Sequence, residues 1–97
     1  MNYAFHPEAA IEYAEQVAHY KSLREALGKR YHHAVKVAAL KACAAPNRYR
    51  VHLPPAIRQV PIEGFPYSLI IREVHERIQI LAVAHHRRRP LYWLDRL

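Results

Sequence analysis

Two apolar runs separated by a single polar pair constrain this chain more than anything else in it. Tyr67–Val74 and Arg77–Ala84 are dense in isoleucine, leucine and valine, and only His75-Glu76 stands between them. Such runs predict strands, and a two-residue connection predicts an antiparallel hairpin. In that hairpin Val74 opposes Arg77, Arg72 opposes Gln79, Ile70 opposes Leu81 and Ser68 opposes Val83. A further strand is expected at Ile57–Ile62, after the Pro54-Pro55 turn, with Pro61 restricting it to an edge or to the strand's end. A four-residue loop at Glu63–Pro66 then sets Ile62 against Tyr67, Val60 against Leu69 and Arg58 against Ile71.

Opposed residues share a face, and alternate residues change face. One face therefore carries Val60, Ile62, Tyr67, Leu69, Ile71, Ile80, Ala82 and Ala84, and is the expected core face. The other carries Gln59, Ser68, Ile70, Arg72, Gln79, Leu81, Val83 and His85. Its centre is too apolar for a solvated face, so either the C-terminal tail or a partner chain is expected to cover it.

Upstream of Pro46 the pattern is helical. Six of the seven prolines lie at or after Pro46, and the preceding segment is rich in alanine. Pro7-Glu8 suits a first helical turn, with His6 as an unusual N-cap, and Tyr13, Val17 and Tyr20 recur at helical spacing. Ser22-Leu23-Arg24-Glu25 has the spacing of a capping box, which predicts a second helix from Leu23 to just before Pro46. Its stripe is Leu27, Tyr31, Ala34, Val35, Ala38 and Ala42, and Gly28 predicts close approach of the two helices. Tyr3–Phe5 is a candidate first strand. The expected fold is α+β: an N-terminal αα-hairpin on one face of a small, mainly antiparallel sheet of three to four strands, followed by a short C-terminal helix or tail. The whole of 1–97 reads as one domain.

With 15 Lys+Arg against 8 Asp+Glu the formal charge is +7, concentrated after residue 45. That balance attracts nucleic acid, an anionic surface or an acidic protein. Cys43 stands alone, so no internal disulfide forms, and a reducing cytoplasm is the expected compartment. No apolar run approaches the roughly 18 residues of a membrane span, and residues 1–8 lack a signal-peptide pattern. No histidine or cysteine spacing suggests zinc, and no nucleotide-binding glycine loop exists; neither metal nor cofactor is expected.

The chemistry-bearing residues gather at the end. The last strand runs into His85-His86-Arg87-Arg88-Arg89, then Pro90-Leu91-Tyr92-Trp93. Guanidinium forks match phosphates and carboxylates alike, and aromatic rings stack on bases, whereas Trp93 also suits a core anchor for the tail. Cleaving RNA through its 2′-hydroxyl needs a base, an acid and cations. His85 or His86 could serve as acid or base, with Glu63 beside them and Arg87 on the phosphate, because residue 85 falls opposite Pro66 in the register above. Arg72 lies roughly 20 Å from residue 85, too far for the same compact site.

The stretch Gly64-Phe65-Pro66-Tyr67-Ser68-Leu69-Ile70-Ile71-Arg72, followed by Arg77–Pro90 and by Tyr92-Trp93, resembles the end of RelE/ParE-superfamily toxins. Those toxins have an F-P-Y strand, a turn and an I-x-I-L-A-V-x-H-x-R-R strand. Upstream, Pro46-Asn47-Arg48-Tyr49 matches their P-x-R-Y. The likeness covers nearly the whole chain and is greatest to the ParE-like branch, the plasmid stabilisation proteins. It implies the toxin of a type II toxin–antitoxin pair, inhibiting DNA gyrase without cleaving nucleic acid and neutralised by a cognate antitoxin; a toxin–antitoxin hetero-oligomer or a homodimer is the expected assembly. The alternative it implies is the RelE-like activity, cleavage of mRNA on the ribosome. That branch has basic residues across the central strands, where this chain has Arg58 and then Gln59, Pro61 and Glu63, so no catalytic set is favoured. The expected target- and antitoxin-binding residues are Arg58, Ser68, Ile70, Arg72, Gln79, Leu81, Val83, His85, His86, Arg87, Arg88, Arg89, Tyr92 and Trp93; the alternative catalytic set is Glu63, His85, His86 and Arg87.

Overall fold

Pro7 opens the first helix where a missing N–H costs nothing, and the His6 Nδ1 accepts the Glu8 N–H at 3.1 Å. In the computed structural model, which describes residues 1–97, this helix is α1, Pro7–Leu23. It stops where Arg24 turns extended, and α2 follows at once as Glu25–Ala44. The capping-box expectation is corrected here: the Ser22 hydroxyl donates back to the His19 carbonyl at 2.6 Å, and Arg24 is an N-cap with no side-chain bond. Ser22 still lies within α1, two residues before the N-cap, so its hydroxyl is not at the position that would accept from the first turn of α2. At Gly28 the helices nearly touch, since a Cβ there would lie 2.2 Å from the Lys21 Cγ.

Five strands form one mixed sheet: β1 Tyr3–Phe5, β2 Val51–Leu53, β3 Ile57–Pro61, β4 Tyr67–Val74 and β5 Arg77–His85. Their spatial order is β1-β5-β4-β3-β2, with β1 parallel to β5 and every other pair antiparallel. The expected three to four strands thus become five, because a three-residue strand such as β2 is too short to show a period.

The hairpin connection is as tight as its sequence implies. His75 and Glu76 both hold positive φ, 51° and 62°, and Val74 pairs with Arg77. That is the backbone of a two-residue turn that favours Asn-Gly, and side chains in left-handed conformations cost about 1–2 kcal/mol each. Replacing His75-Glu76 by Asn-Gly is therefore expected to raise stability by about 1–2 kcal/mol, read as a higher urea midpoint at unchanged slope. An unchanged midpoint would show that the turn carries no strain.

The predicted register holds from Val74 to Ile71 and then slips. Arg72 pairs with Gln79 and Ile71 with Ile80, but Ile70 pairs with Ala82, leaving Leu81 as an unpaired extra residue in β5. Leu81 is a β-bulge, and it reverses the facing of everything after it. Ser68 therefore meets Ala84 rather than Val83, and Tyr67 rather than Pro66 meets His85. Val83 belongs to the helix-side core with Tyr31, Val35, Leu69, Ile71 and Ile80. Ala82 and Ala84, expected on the core face, pack instead on the far side.

The far side is covered by the tail. Trp93 is 1% exposed and packs with Ile57, Ile70, Leu81 and Ala82, before a short 3₁₀ turn at Leu94–Arg96. Of the two covers expected for this face, the tail supplies it.

Strand β5 runs beyond the end of β1, which leaves part of its edge without a strand partner. Side chains take the place of that strand: the Val83 N–H donates to the Glu12 carboxylate at 3.0 Å, and its carbonyl accepts from the Gln16 Nε2 at 2.9 Å. Gln16 also accepts the hydroxyl of Tyr31, the fully buried centre of the helix–sheet interface. Burial, with the Tyr67, Tyr20 and Tyr13 hydroxyls nearby, pushes the Tyr31 phenol well above its ordinary range.

Candidate functional site

Adjacent residues point to opposite sides of the sheet, and the bulge at Leu81 decides which of the two histidines goes to which side. The His85 ring stands edge-on to Tyr67 on the helix side, centroids 5.0 Å apart, and its Nδ1 accepts the Arg87 N–H at 3.0 Å. His86 goes to the far side, where its Nε2 lies 3.0 Å from the Ser68 Oγ. Its main-chain N–H donates to the Pro66 carbonyl at 2.9 Å, which fixes where the ring can reach.

Ser68 is only 2% exposed and receives a second bond, from the Gln59 Nε2 at 3.3 Å. Arg50, just before β2, joins Gln59, Ser68 and His86 around one shallow depression of about 470 Å³. A smaller cleft adjoins it, also lined by Gln59 and His86, and adds His52, Arg88, Arg89 and Tyr92. No aspartate or glutamate lines either hollow. The Arg88 guanidinium sits 4.0 Å above the Tyr92 ring, which holds one arm of the arginine run against the tail. Arg87, Arg88 and Arg89 are all exposed.

The remaining expected residues divide by position. Ile70, Leu81 and Trp93 form the buried cluster beneath the tail, and Val83 lies in the helix-side core. None of the four offers surface to a partner, so the expected apolar docking patch is closed. Arg72 donates to Gln79 at 2.8 Å at the opposite end of this face, four residues or roughly 13 Å along β4 from Ser68. Arg58 reaches the Tyr49 carbonyl at 2.7 Å and fastens the loop after α2. Glu63 is exposed and lines a groove beside α2, away from His86. The fourfold set Glu63, His85, His86 and Arg87 is thus split between two faces. In its place the fold assembles His86 with Ser68, Gln59, Arg50, His52 and the arginines, and no group of three His, Cys, Asp or Glu side chains is placed to hold a metal.

Arg50 and His52 had no sequence signal beyond their charge, since β2 is only three residues long. Nor did the clamp that fixes the tail. Glu12 of α1 accepts from Arg96 at 2.9 and 3.0 Å and from the Tyr92 hydroxyl at 2.8 Å, while Arg96 also donates to the Leu81 carbonyl at 2.9 Å. The Arg96 Nε has no hydrogen-bond partner and lies 3.5 Å from the Glu8 carboxylate. Burial pushes the Tyr92 phenol far above its ordinary range, and the neighbouring Glu12 carboxylate adds to that.

No protein-family model, curated protein or solved structure matches the chain. No helix is long and apolar enough to cross a membrane.

Proposed function

We propose that this chain is the toxin of a type II toxin–antitoxin pair, of the ParE-like branch of the RelE/ParE superfamily. It arrests growth by binding a protein target in the cytoplasm, DNA gyrase in that family, and an acidic antitoxin neutralises it. The observation that carries the reading is the exposed Arg87-Arg88-Arg89 run, in the segment that bears the resemblance, beside hollows without a single carboxylate. Three exposed guanidinium forks on a +7 chain select a carboxylate-rich protein surface by charge and speed its encounter. An αα-hairpin followed by an antiparallel ribbon that ends in this run also agrees with the resemblance.

The test is induced expression, with growth followed alongside gyrase supercoiling by the purified chain. Growth arrest that the adjacent gene relieves, together with lost supercoiling, is the expected result. The Arg87→Ala/Arg88→Ala/Arg89→Ala variant is expected to bind gyrase about ten- to a hundredfold more weakly, with a flatter salt dependence. Undiminished affinity, or no arrest at all, would remove the reading.

A second reading, RelE-like cleavage of mRNA on the ribosome, is favoured by one observation: the His86–Ser68 contact beside Arg50, Arg88 and Arg89. There His86 would take or return the proton of a 2′-hydroxyl or a leaving oxygen, and the arginines would hold the phosphate. Intact supercoiling, with translation-dependent mRNA cleavage lost in His86→Ala, would select it over gyrase binding.

A further inference from the structure

We propose that two copies of this chain pair edge to edge through β1, antiparallel about a twofold axis at Ala4, with Tyr3 of each copy opposite Phe5 of the other. This inference stands apart from the toxin reading, which rests on the arginine run.

Strand β1 is one of the two outer strands of the sheet. The Ile78 N–H donates to the Asn2 carbonyl at 2.9 Å, and the His6 N–H donates to the Ile80 carbonyl at 2.8 Å. Main-chain groups alternate in direction along a strand, so Asn2, Ala4 and His6 face β5. The N–H and carbonyl groups of Tyr3 and Phe5 face outward, and no strand lies beyond β1 to answer them.

The opposite edge is guarded and this one is not. Arg50 precedes β2, His52 lies within it, Pro54-Pro55 follows it, and its pairing with β3 slips between Val51 and Leu53. Proline, positive charge and an irregular register all keep another strand away. Strand β1 has a regular register and neither charge nor proline. Its Tyr3 and Phe5 rings are half-buried on the helix side and meet edge-on at 6.0 Å, and Phe5 stacks on Tyr13 at 5.3 Å. Such an edge is a template for pairing.

Length and charge choose the occupant. Only Tyr3 and Phe5 offer main-chain groups before Pro7 begins α1, and farther along β5 the edge is taken by Arg96, Glu12 and Gln16. A long extended segment would bond briefly and then run against a helix. A second β1 has the matching length. Centred on Ala4, Tyr3 meets Phe5 twice, and each pair exchanges both of its main-chain bonds. The rings then form two cross-strand aromatic pairs.

The two ends of β1 differ in sign. At its start Arg77 is held by a 2.9 Å bond from its Nε to the Asn2 Oδ1. Past its end stands Glu8, whose side chain is 61% exposed even beside Arg96. Antiparallel pairing brings Glu8 of each copy toward Arg77 of the other, so the edge is complementary to itself.

The test is sedimentation of the full-length chain from about 5 µM to about 0.5 mM, with amide exchange at the upper end. So short an interface gives weak association, mostly monomer at the lower concentration and mostly dimer at the upper. The Tyr3 and Phe5 amides are expected to gain protection as dimer forms. Tyr3→Pro removes an N–H that the monomer does not use, and is expected to stay monomeric throughout. Glu8→Lys and Arg77→Glu are each expected to weaken association about tenfold, and the two in one chain to restore it. Should Tyr3→Pro not fold, that charge exchange carries the test. The Arg87→Ala/Arg88→Ala/Arg89→Ala variant is expected to dimerise like the natural chain. A monomer at about 0.5 mM, protection gained at Val51–Leu53 instead, a double charge variant as weak as the single ones, or a dimer lost with the arginine run would each overturn the proposal.

Discussion

Glu12→Ala is expected to lower the stability of this chain by about 3–5 kcal/mol. The Glu12 carboxylate faces two Arg96 nitrogens, the Tyr92 hydroxyl and the Val83 N–H, so its loss unpairs four donors at once. The Arg96 side chain is 8% exposed, and a guanidinium left there with only the exposed Glu8 carboxylate, 3.5 Å from its Nε, carries most of the cost. For a domain of this size such a loss amounts to a drop of roughly 15–25 °C in Tm. Arg96→Met should cost less, because Glu12 keeps Tyr92 and Val83, and it removes a buried charge with its partner still solvated in part. A calorimetric series of the two variants checks the order; equal losses would mean that the charge pair contributes little beyond its packing.

The same carboxylate gives acid sensitivity a definite sign. Burial alone pushes its pKa up, but the Arg96 hydrogen bonds, the Val83 N–H, the Tyr92 hydroxyl and the Arg96 charge together bring it below the ordinary carboxylate value. A pKa depressed in the folded state means the unfolded chain takes up the proton first. The contribution is therefore whole above the unfolded value of about 4.3 and declines as pH falls through the lower folded value. Below about pH 5 the unfolding midpoint of the natural chain is expected to fall more steeply than that of Glu12→Gln. Parallel curves would rule out this linkage.

Trp93→Ala has an effect of similar size for a different reason. The indole is the largest fully buried side chain and fills the space over Ile57, Ile70, Leu81 and Ala82. Removing it costs its transfer free energy and leaves a cavity, about 3–5 kcal/mol in all. It also uncovers an apolar patch on the far side of the sheet, so binding of a hydrophobic dye should appear below the unfolding midpoint. Trp93→Phe, which keeps most of the volume, should lose far less and stay dye-silent. Dye binding to the natural chain at the same level would mean that the tail does not seal this face.

The two helices, the tight turn and the strands β3, β4 and β5 could be read from periodicity, because each is long enough for its apolar residues to repeat. The Pro7 start of α1 follows from local backbone preference, whereas the His75-Glu76 turn follows from the spacing of the strands it joins, against the preference of its own two residues. What stayed hidden depends on contacts distant in sequence. Leu81 looks like any alternating strand residue, and only its packing against Trp93 and Ile70 marks it as the place where β5 carries one residue more than β4 allows. For the candidate site this was decisive, since a one-residue slip exchanges the sides that His85 and His86 take and brings the latter to Ser68. Glu12 and Arg96 are charged residues on helix and tail that meet only after the whole chain has folded. The Ser22–Glu25 spacing misled because α1 runs through Ser22 to Leu23, and the N-cap position of α2 falls on Arg24.

The extra residue at Leu81 makes chain length between Ile80 and the arginine run a discrete variable. Removing one residue there would rejoin β4 and β5 in simple alternation and exchange the surroundings of the two imidazoles, leaving composition and charge almost untouched. Insertions and deletions in this span would then act like the throw of a switch, whereas substitutions act like the turn of a dial. Two chains identical elsewhere but differing by that single codon would present different chemistry beside the same three arginines.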